Sequence, residues 1–491
     1  MSRSKLLAIS INVLTAVSFA AGSFFAVGPA AAAKGADEKI VFEVTAKHKD
    51  QECVGCHIQV TPGIVKDHMA GKMASPTNAK DYVGCNDCHG EEHRKNDDYK
   101  LAKMPTAQTC KKCHLDQVGQ YKAGKHNLAW FAQKSQQAWH GQPASIVKQG
   151  YRGCSGCHKL GEKGWQGKLS GFDKMTHDGG KEESEYRYGN AQCDACHTRH
   201  AFSKKEAQNP RACSNCHMGF DHPQWEMYVS SKHGVIWESD PTGTRAPTCQ
   251  TCHMSGGNHE VRTPWGFLGL RLPTKENVLA LIKVAPSLKD NLTKLAAGLP
   301  SGNYVDVDDD PQWTFDRAMI LQAAGLLDGN LQLTARAVEV ALQAQAARGP
   351  EQFNAERNKM KQICNNCHAK DFVKDFFMAG DDIVKQVDSR FAKAIQAVQG
   401  LYKDGILKKP AGWEYGPDLL QYYDAKTGIE LELFWITLEY KQRAFQGAFH
   451  ASNDYMHWYG WSPLNRAVNQ ILEEEKRMRK EHAMGQKLGI H

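Results

Sequence analysis

Cys193-Asp-Ala-Cys-His-Thr-Arg-His200, or CDACHTRH, places two cysteines, a histidine directly after the second, and a further histidine three residues on, within eight positions. A zinc clip, a redox dithiol and a haem attachment site can all be written this way. The rest of the chain decides between them. The pentapeptide Cys-x-x-Cys-His occurs eight times: CVGCH (Cys53, Cys56, His57), CNDCH (Cys85, Cys88, His89), CKKCH (Cys110, Cys113, His114), CSGCH (Cys154, Cys157, His158), CDACH (Cys193, Cys196, His197), CSNCH (Cys213, Cys216, His217), CQTCH (Cys249, Cys252, His253) and CNNCH (Cys364, Cys367, His368). These copies use all 16 cysteines of the 491-residue chain, so none is left for a disulfide or a free thiol. A four-ligand zinc site does not require a histidine directly after the second cysteine in every copy. Haem does. Two cysteines three apart form thioethers to two vinyl groups, and the adjacent histidine lies under the iron as an axial ligand. The copies are read as eight c-type haem sites.

That reading sets the expected fold. Porphyrins fill volume that side chains otherwise fill, so the stretch from about 49 to 260 needs no long hydrophobic periodicity, and it is rich in Gly, Lys, Asp and His. The expectation is a mainly α multihaem cytochrome c with a haem-filled core, a C-terminal helical region and little β structure. Residues 34–270 form a haem-binding domain with seven motifs, 271–374 a helical segment with the eighth, and 375–491 a C-terminal helical region that also supplies oligomer contacts. Within the last, Ile383, Val387, Phe391, Ile395, Val398 and Tyr402 recur at helical spacing. IELELFWITLEYKQRAFQGAFH and ILEEEKRMRKEH are two further helix candidates, and VDVDDDP (305–311) reads as an acidic turn.

The first residues carry a different message. Arg3 and Lys5 precede an uncharged apolar run that ends in an Ala-x-Ala pattern at Ala33. This is a secretory leader, 1–33, whose removal leaves a soluble periplasmic protein; an uncleaved anchor is the bland alternative. No later segment offers the roughly 20 apolar residues that span a bilayer. The formal charge of +7 falls by two with the leader. Haem propionates then claim many of the lysines and arginines, which undercuts a nucleic-acid partner.

There are 22 histidines, and eight belong to the motifs. An iron with two axial histidines only passes electrons, whereas one with a single histidine can bind substrate. His93, His126, His200, His233 and His259 are the foremost candidates for second axial ligands, with His68, His140 and His177 behind them. A histidine a few residues from its own motif is expected to reach a neighbouring haem. Seven paired irons and one open iron need only seven such residues, so at least one candidate is spare. After the sixth motif, HMGFDHPQWEMY sets Asp221 beside His222, an acid–base couple ahead of Pro223. A structural turn or a distal ligand is the plainer reading of that pair.

Five stretches, CDACHTRHAFS, CSNCHMGFDHPQWEMYVSSKHG, APTCQTCHMSGGNHEVRTPWGF, GLYKDGILKKP and RAFQGAFHASNDYMHWYGW, resemble the octahaem hydroxylamine oxidoreductases over about residues 50–465. The resemblance implies that the fourth motif, with His158 as axial ligand, carries the open catalytic haem, and that Asp221 and His222 are the active-site pair. It implies a homotrimer in which a C-terminal tyrosine, here Tyr455 or Tyr459, is cross-linked to the catalytic haem of a neighbouring subunit. Without such a link, related octahaem proteins tend to reduce nitrite. An aromatic packing cluster is the simpler reading of Tyr455, Trp458, Tyr459 and Trp461. The expected activity is hydroxylamine oxidation to nitric oxide or nitrite, with a cytochrome or quinone-linked cytochrome as redox partner. Nitrite or hydroxylamine reduction, or a non-enzymatic electron conduit, are the rivals.

Overall fold

The structure, a computed structural model, describes residues 51–74, 81–129, 157–158, 160, 193–219, 221–242, 244–266, 269–337, 348–411, 413, 415–420 and 427–489. The leader, Cys154, His140 and His177 lie outside the described residues. Helices dominate, and the only β pairings among the described residues are isolated bridges between Arg271 and Arg348 and between Leu327 and Leu333. The expected mainly α architecture is what the chain adopts. No helix among the described residues is long and apolar enough to cross a membrane.

The N-terminal half is assembled from short helices. The first motif lies in α1 (Gln51–Val60), which is followed at once by α2 (Pro62–Ala70), opened by a proline that needs no N–H partner at that position. The segment before the fourth motif contains α3 (Leu115–Ala123), and the segment after the sixth contains α4 (Gln224–Ser230). The motifs that lie wholly within the described residues are themselves helical turns. The His114, His197, His217 and His368 amides donate to the carbonyl of the first cysteine of their own motif at 2.9–3.0 Å. One turn of helix brings residues three and four apart onto one face, so both sulfurs and the histidine can address one porphyrin.

The C-terminal half is a conventional hydrophobic core. α5 (Pro311–Ala323) is capped by Asp310, whose carboxylate accepts the Trp313 amide at 2.8 Å. α6 (Pro350–Cys364) runs into the eighth motif. α7 (Lys370–Lys403) is 34 residues long and carries the apolar stripe seen in the sequence; Val387, Phe391, Ile395 and Val398 are at most 1% exposed. Each large apolar side chain buried this way contributes roughly 1.5–3 kcal/mol, which fixes α7 as the spine that α5 and the last helices pack against. The expected second helix is α8 (Gly428–Trp435) and α9 (Lys441–Phe449), joined by a π-helical turn, Ile436–Tyr440. A second π-helical turn, Met456–Trp461, leads into α10 (Ser462–Leu488), the third expected helix. Gly460 lies so close to α9 that a Cβ there would meet the Ala444 amide nitrogen at 2.3 Å.

The acidic turn is not solvent-facing decoration. Asp309 forms a two-pronged pair with the Arg271 guanidinium at 2.6 and 2.8 Å, and Arg271, itself 1% exposed, lies 3.9 Å from the centre of the Tyr304 ring. Deeper in, Arg357 pairs with Asp381 at 2.7 and 2.8 Å. Asp388 accepts the Trp313 indole N–H at 2.9 Å and has the Lys441 ammonium 3.2 Å away, with both charged groups 2% exposed. This last group joins α5, α7 and α9. Removing one member of such a pair leaves an uncompensated buried charge, which costs about 3–5 kcal/mol. Asp388→Ala is expected to lower the thermal unfolding temperature of the holoprotein clearly, and Asp388→Asn, which still accepts from Trp313, to lower it less.

Candidate haem-binding and active site

A continuous cavity runs through the N-terminal half and reaches α9. It is lined by seven of the motif histidines, from His57 to His253, and by Cys364 of the eighth motif. Among the described residues, no three His, Cys, Asp or Glu side chains gather as a metal-ion site. The histidines meet in pairs instead. Ring centres lie 6.0 Å apart for His57 and His93, 6.2 Å for His89 and His200, and 6.1 Å for His126 and His217. They are 6.2 Å apart for His197 and His259, 6.1 Å for His233 and His368, and 6.3 Å for His253 and His450. His217 also has the His222 ring 6.2 Å away on its edge, so it has two histidine neighbours, His126 and His222.

These separations are a direct test of whether haem iron fits. A metal held at about 2 Å from each of two imidazole nitrogens, with roughly 1 Å more to each ring centre, sets the centres about 6 Å apart. Hydrogen bonding agrees. His89 Nδ1 donates to the Lys103 carbonyl at 2.8 Å and His450 Nδ1 to the Gln446 carbonyl at 2.7 Å. His217 Nδ1 lies 3.2 Å from Gln224 Oε1, and the Gln224 amide donates to Gln446 Oε1 at 2.8 Å. With Nδ1 engaged, the Nε2 lone pair is left for a metal. The residues present fit haem.

Each of His93, His126, His200, His233 and His259 faces the histidine of a motif other than its nearest. His68 does not: its Nε2 lies 3.0 Å from the Val83 carbonyl oxygen, and its ring packs edge-on against Tyr82. His450 was absent from the sequence candidates because it stands 197 residues beyond its partner, on a helix without cysteines. The signal was present, since His450 belongs to RAFQGAFHASNDYMHWYGW. Among the described residues, neither His114 nor His158 faces a second histidine across the separation of the six pairs. His158 Nδ1 donates to the Ala129 carbonyl at 3.0 Å.

Asp221 and His222 line the same cavity as Cys157 and His158 and are close enough to act on both electrostatically. His222 Nδ1 is 2.5 Å from Asp221 Oδ1, as an ion pair. Burial pushes the His222 pKa down, but the Asp221 carboxylate, helped by charge on Cys157 and Glu226, outweighs it, and the net shift is upward from the usual imidazole value. The Cys157 share of that effect disappears when its sulfur is a thioether. Glu226, which the sequence reading passed over, accepts the Gly219 amide at 3.0 Å and so ties α4 to the loop that carries the pair. Tyr455 and Tyr459 stack with ring centres 4.8 Å apart; Tyr459 is 52% exposed, Tyr455 is partly buried, and neither is among the cavity-lining residues.

Comparison with known proteins gives the class. Residues 81–160 and 180–267 match the family profile described as seven times multi-haem cytochrome CxxCH, and residues 28–90 match cytochrome c554 and c-prime. A curated relative, a probable nitrite reductase-hydroxylamine oxidoreductase fusion protein of Kuenenia stuttgartiensis, is 30% identical over 44% of this chain. The match spans only 26% of that longer protein. Two solved structures share the fold. One is the Kuenenia stuttgartiensis reducing HAO-like protein complex, with a TM-score of 0.56, 22% identity, and coverage of 89% of this chain and 86% of that one. The other is a hypothetical multiheme protein, with a TM-score of 0.58, 18% identity, and coverage of 90% and 98%. The motifs, the cavity and these matches define a multihaem cytochrome c, built for haem-based redox chemistry. Within that class the chain is similar to the nitrite reductase-hydroxylamine oxidoreductase fusion protein over part of its length and shares the fold of the HAO-like complex.

The facing pair His253–His450 is open to test. His450→Ala is expected to convert one low-spin iron to a high-spin, ligand-accessible one in the electron paramagnetic resonance spectrum, with the haem count unchanged. An unaltered spectrum would remove His450 from the ligand set.

Proposed function

We propose that this protein oxidises hydroxylamine to nitric oxide or nitrite at the fourth motif, with Cys154, Cys157 and His158 holding the catalytic haem. The observation that carries this is the position of the Asp221–His222 couple beside Cys157 and His158, where His158 faces no second histidine among the described residues. When bound, the haem supplies a redox-active iron with an open position. His222, in its neutral form, accepts protons released by the substrate nitrogen, and the adjacent carboxylate steadies the imidazolium so formed. Eight haems, six of them at the facing histidine pairs and a seventh, at His114, expected to find its second ligand outside the described residues, suit a multi-electron reaction because they disperse charge. The same reading carries removal of the leader near Ala33, a periplasmic location, a homotrimer formed through 375–491, and a cytochrome or quinone-linked cytochrome as electron acceptor.

The second reading runs the same site reductively on nitrite or hydroxylamine. The name of a solved relative, a reducing HAO-like complex, favours it. The tyrosine–haem bond separates the two. A peptide map of the holoprotein with either Tyr455 or Tyr459 bound to haem supports oxidation, and one with both unmodified supports reduction.

The acid–base role has its own test. A base must be unprotonated, so hydroxylamine-dependent acceptor reduction should rise with pH through the His222 pKa, which lies above the usual value. Asp221→Asn removes the largest effect that raises it and leaves burial opposed only by the more distant charge of Glu226. The acidic limb of the kcat/KM profile should therefore move to lower pH, with activity reduced by about 10²-fold or more. An unmoved limb would take Asp221 out of the mechanism.

A further inference from the structure

Six histidine pairs span the cavity, but the groups behind them are not alike. His57 Nδ1 is 2.7 Å from the Thr61 hydroxyl oxygen. His89 and His450 lean on backbone carbonyls, and His217 on the side-chain amide of Gln224. All of these acceptors are neutral. His93, which faces His57, is different: its Nδ1 lies 2.7 Å from Asp98 Oδ1. Among the described residues, Asp98 is the only carboxylate behind a histidine of these six pairs; the other histidine backed by a carboxylate, His222 on Asp221, lies edge-on to His217, which already faces His126.

The carboxylate is held in place by the backbone around it. The Arg94 amide donates to both of its oxygens, at 3.0 and 3.1 Å, and the Lys95 amide to Oδ1 at 2.8 Å. The Arg94 guanidinium does not neutralise it, because that group turns to Glu52 at 3.4 Å and Glu91 at 3.8 Å. The His93 and Asp98 side chains are 26% and 23% exposed, so water screens the contact only in part.

We infer that Asp98 is a positioning and tuning residue that makes the haem held by His57 and His93 the most reducing in the chain. This rests on the haem reading of the first motif and not on the identity of the substrate. The physical reason is simple. An anionic acceptor draws on the Nδ1–H bond of His93 and raises the electron density at Nε2. A more basic axial ligand stabilises the oxidised iron over the reduced one, which lowers the reduction potential. Neutral oxygens draw less. A haem of that potential exchanges electrons efficiently only with partners of comparably low potential.

The test is a spectroelectrochemical titration of the full holoprotein, with haems counted by mass spectrometry. In Asp98→Asn the most negative wave should move to higher potential, and the low-spin resonance of one iron should change with it. Asp98→Glu should restore most of the shift. Asp97→Asn, which removes an exposed neighbouring charge of the same size, should leave the wave in place. An equal shift in Asp97→Asn would mean that bulk charge is responsible and would overturn the inference. So would a most negative wave that does not move in Asp98→Asn. If Asp98→Asn loses one haem, the missing wave decides: loss of the most negative wave supports the assignment, and loss of any other refutes it. Absence of haem on Cys53 and Cys56 in the wild-type protein would refute the underlying haem reading instead.

Discussion

Two imidazole rings facing one another across about 6 Å are the arrangement on which the rest of this molecule depends. A CxxCH turn delivers one ring together with two sulfurs, and it does so locally, within a single turn of helix. The opposing ring has to be brought from elsewhere. Here the opposing rings come from segments between motifs and, for His253, from the last helices of the chain. Each pair therefore works as a long-range tie between pieces of backbone that share little hydrophobic surface. This explains how the N-terminal half holds a defined shape with short helices and few large side chains, while the region from 270 onward needs a continuous core.

The two halves are not independent. α9 presents Lys441 and Ala444 to the C-terminal core, and Gln446 and His450 to the cavity. Gln446 is the meeting point: its backbone carbonyl orients His450, and its side chain, through Gln224, reaches the histidine of the sixth motif. The buried charges around Asp388 fix α9 against α5 and α7, and the Arg357–Asp381 pair fixes α6 against α7; breaking either leaves charge stranded in a dry interior. Rigidity in the C-terminal half is in this way handed to the haem ligands.

Much of this was legible in the sequence for a definite reason. A covalent cofactor leaves a fixed signature, and the eight copies announced both the chemistry and the absence of a conventional core. The helices of the C-terminal half followed from apolar spacing, as in the stripe from Ile383 to Tyr402. What the sequence could not express was pairing at a distance. His93 and His259 face motifs other than the ones they follow, and His450 is far from any motif, because ligand geometry is blind to separation along the chain. His68 shows the reverse: its spacing suggested a ligand, yet its Nε2 is taken up by the Val83 carbonyl. The acidic stretch 305–311 read as a turn, and only the fold reveals that its Asp309 is the partner of the buried arginines Arg271 and Arg317.

The tie between His253 and His450 also bears on how the protein is made. Residue 450 is synthesised long after the seventh motif, so the site it completes cannot close until the chain has been made through α9. A product truncated before His450 would carry the full set of cysteines and could accept every porphyrin, yet would leave one more iron than the intact protein with a vacant face. Such a species would be reactive rather than inert. Locating a closing ligand so far along the chain makes the folding of α9 the checkpoint for closing that site.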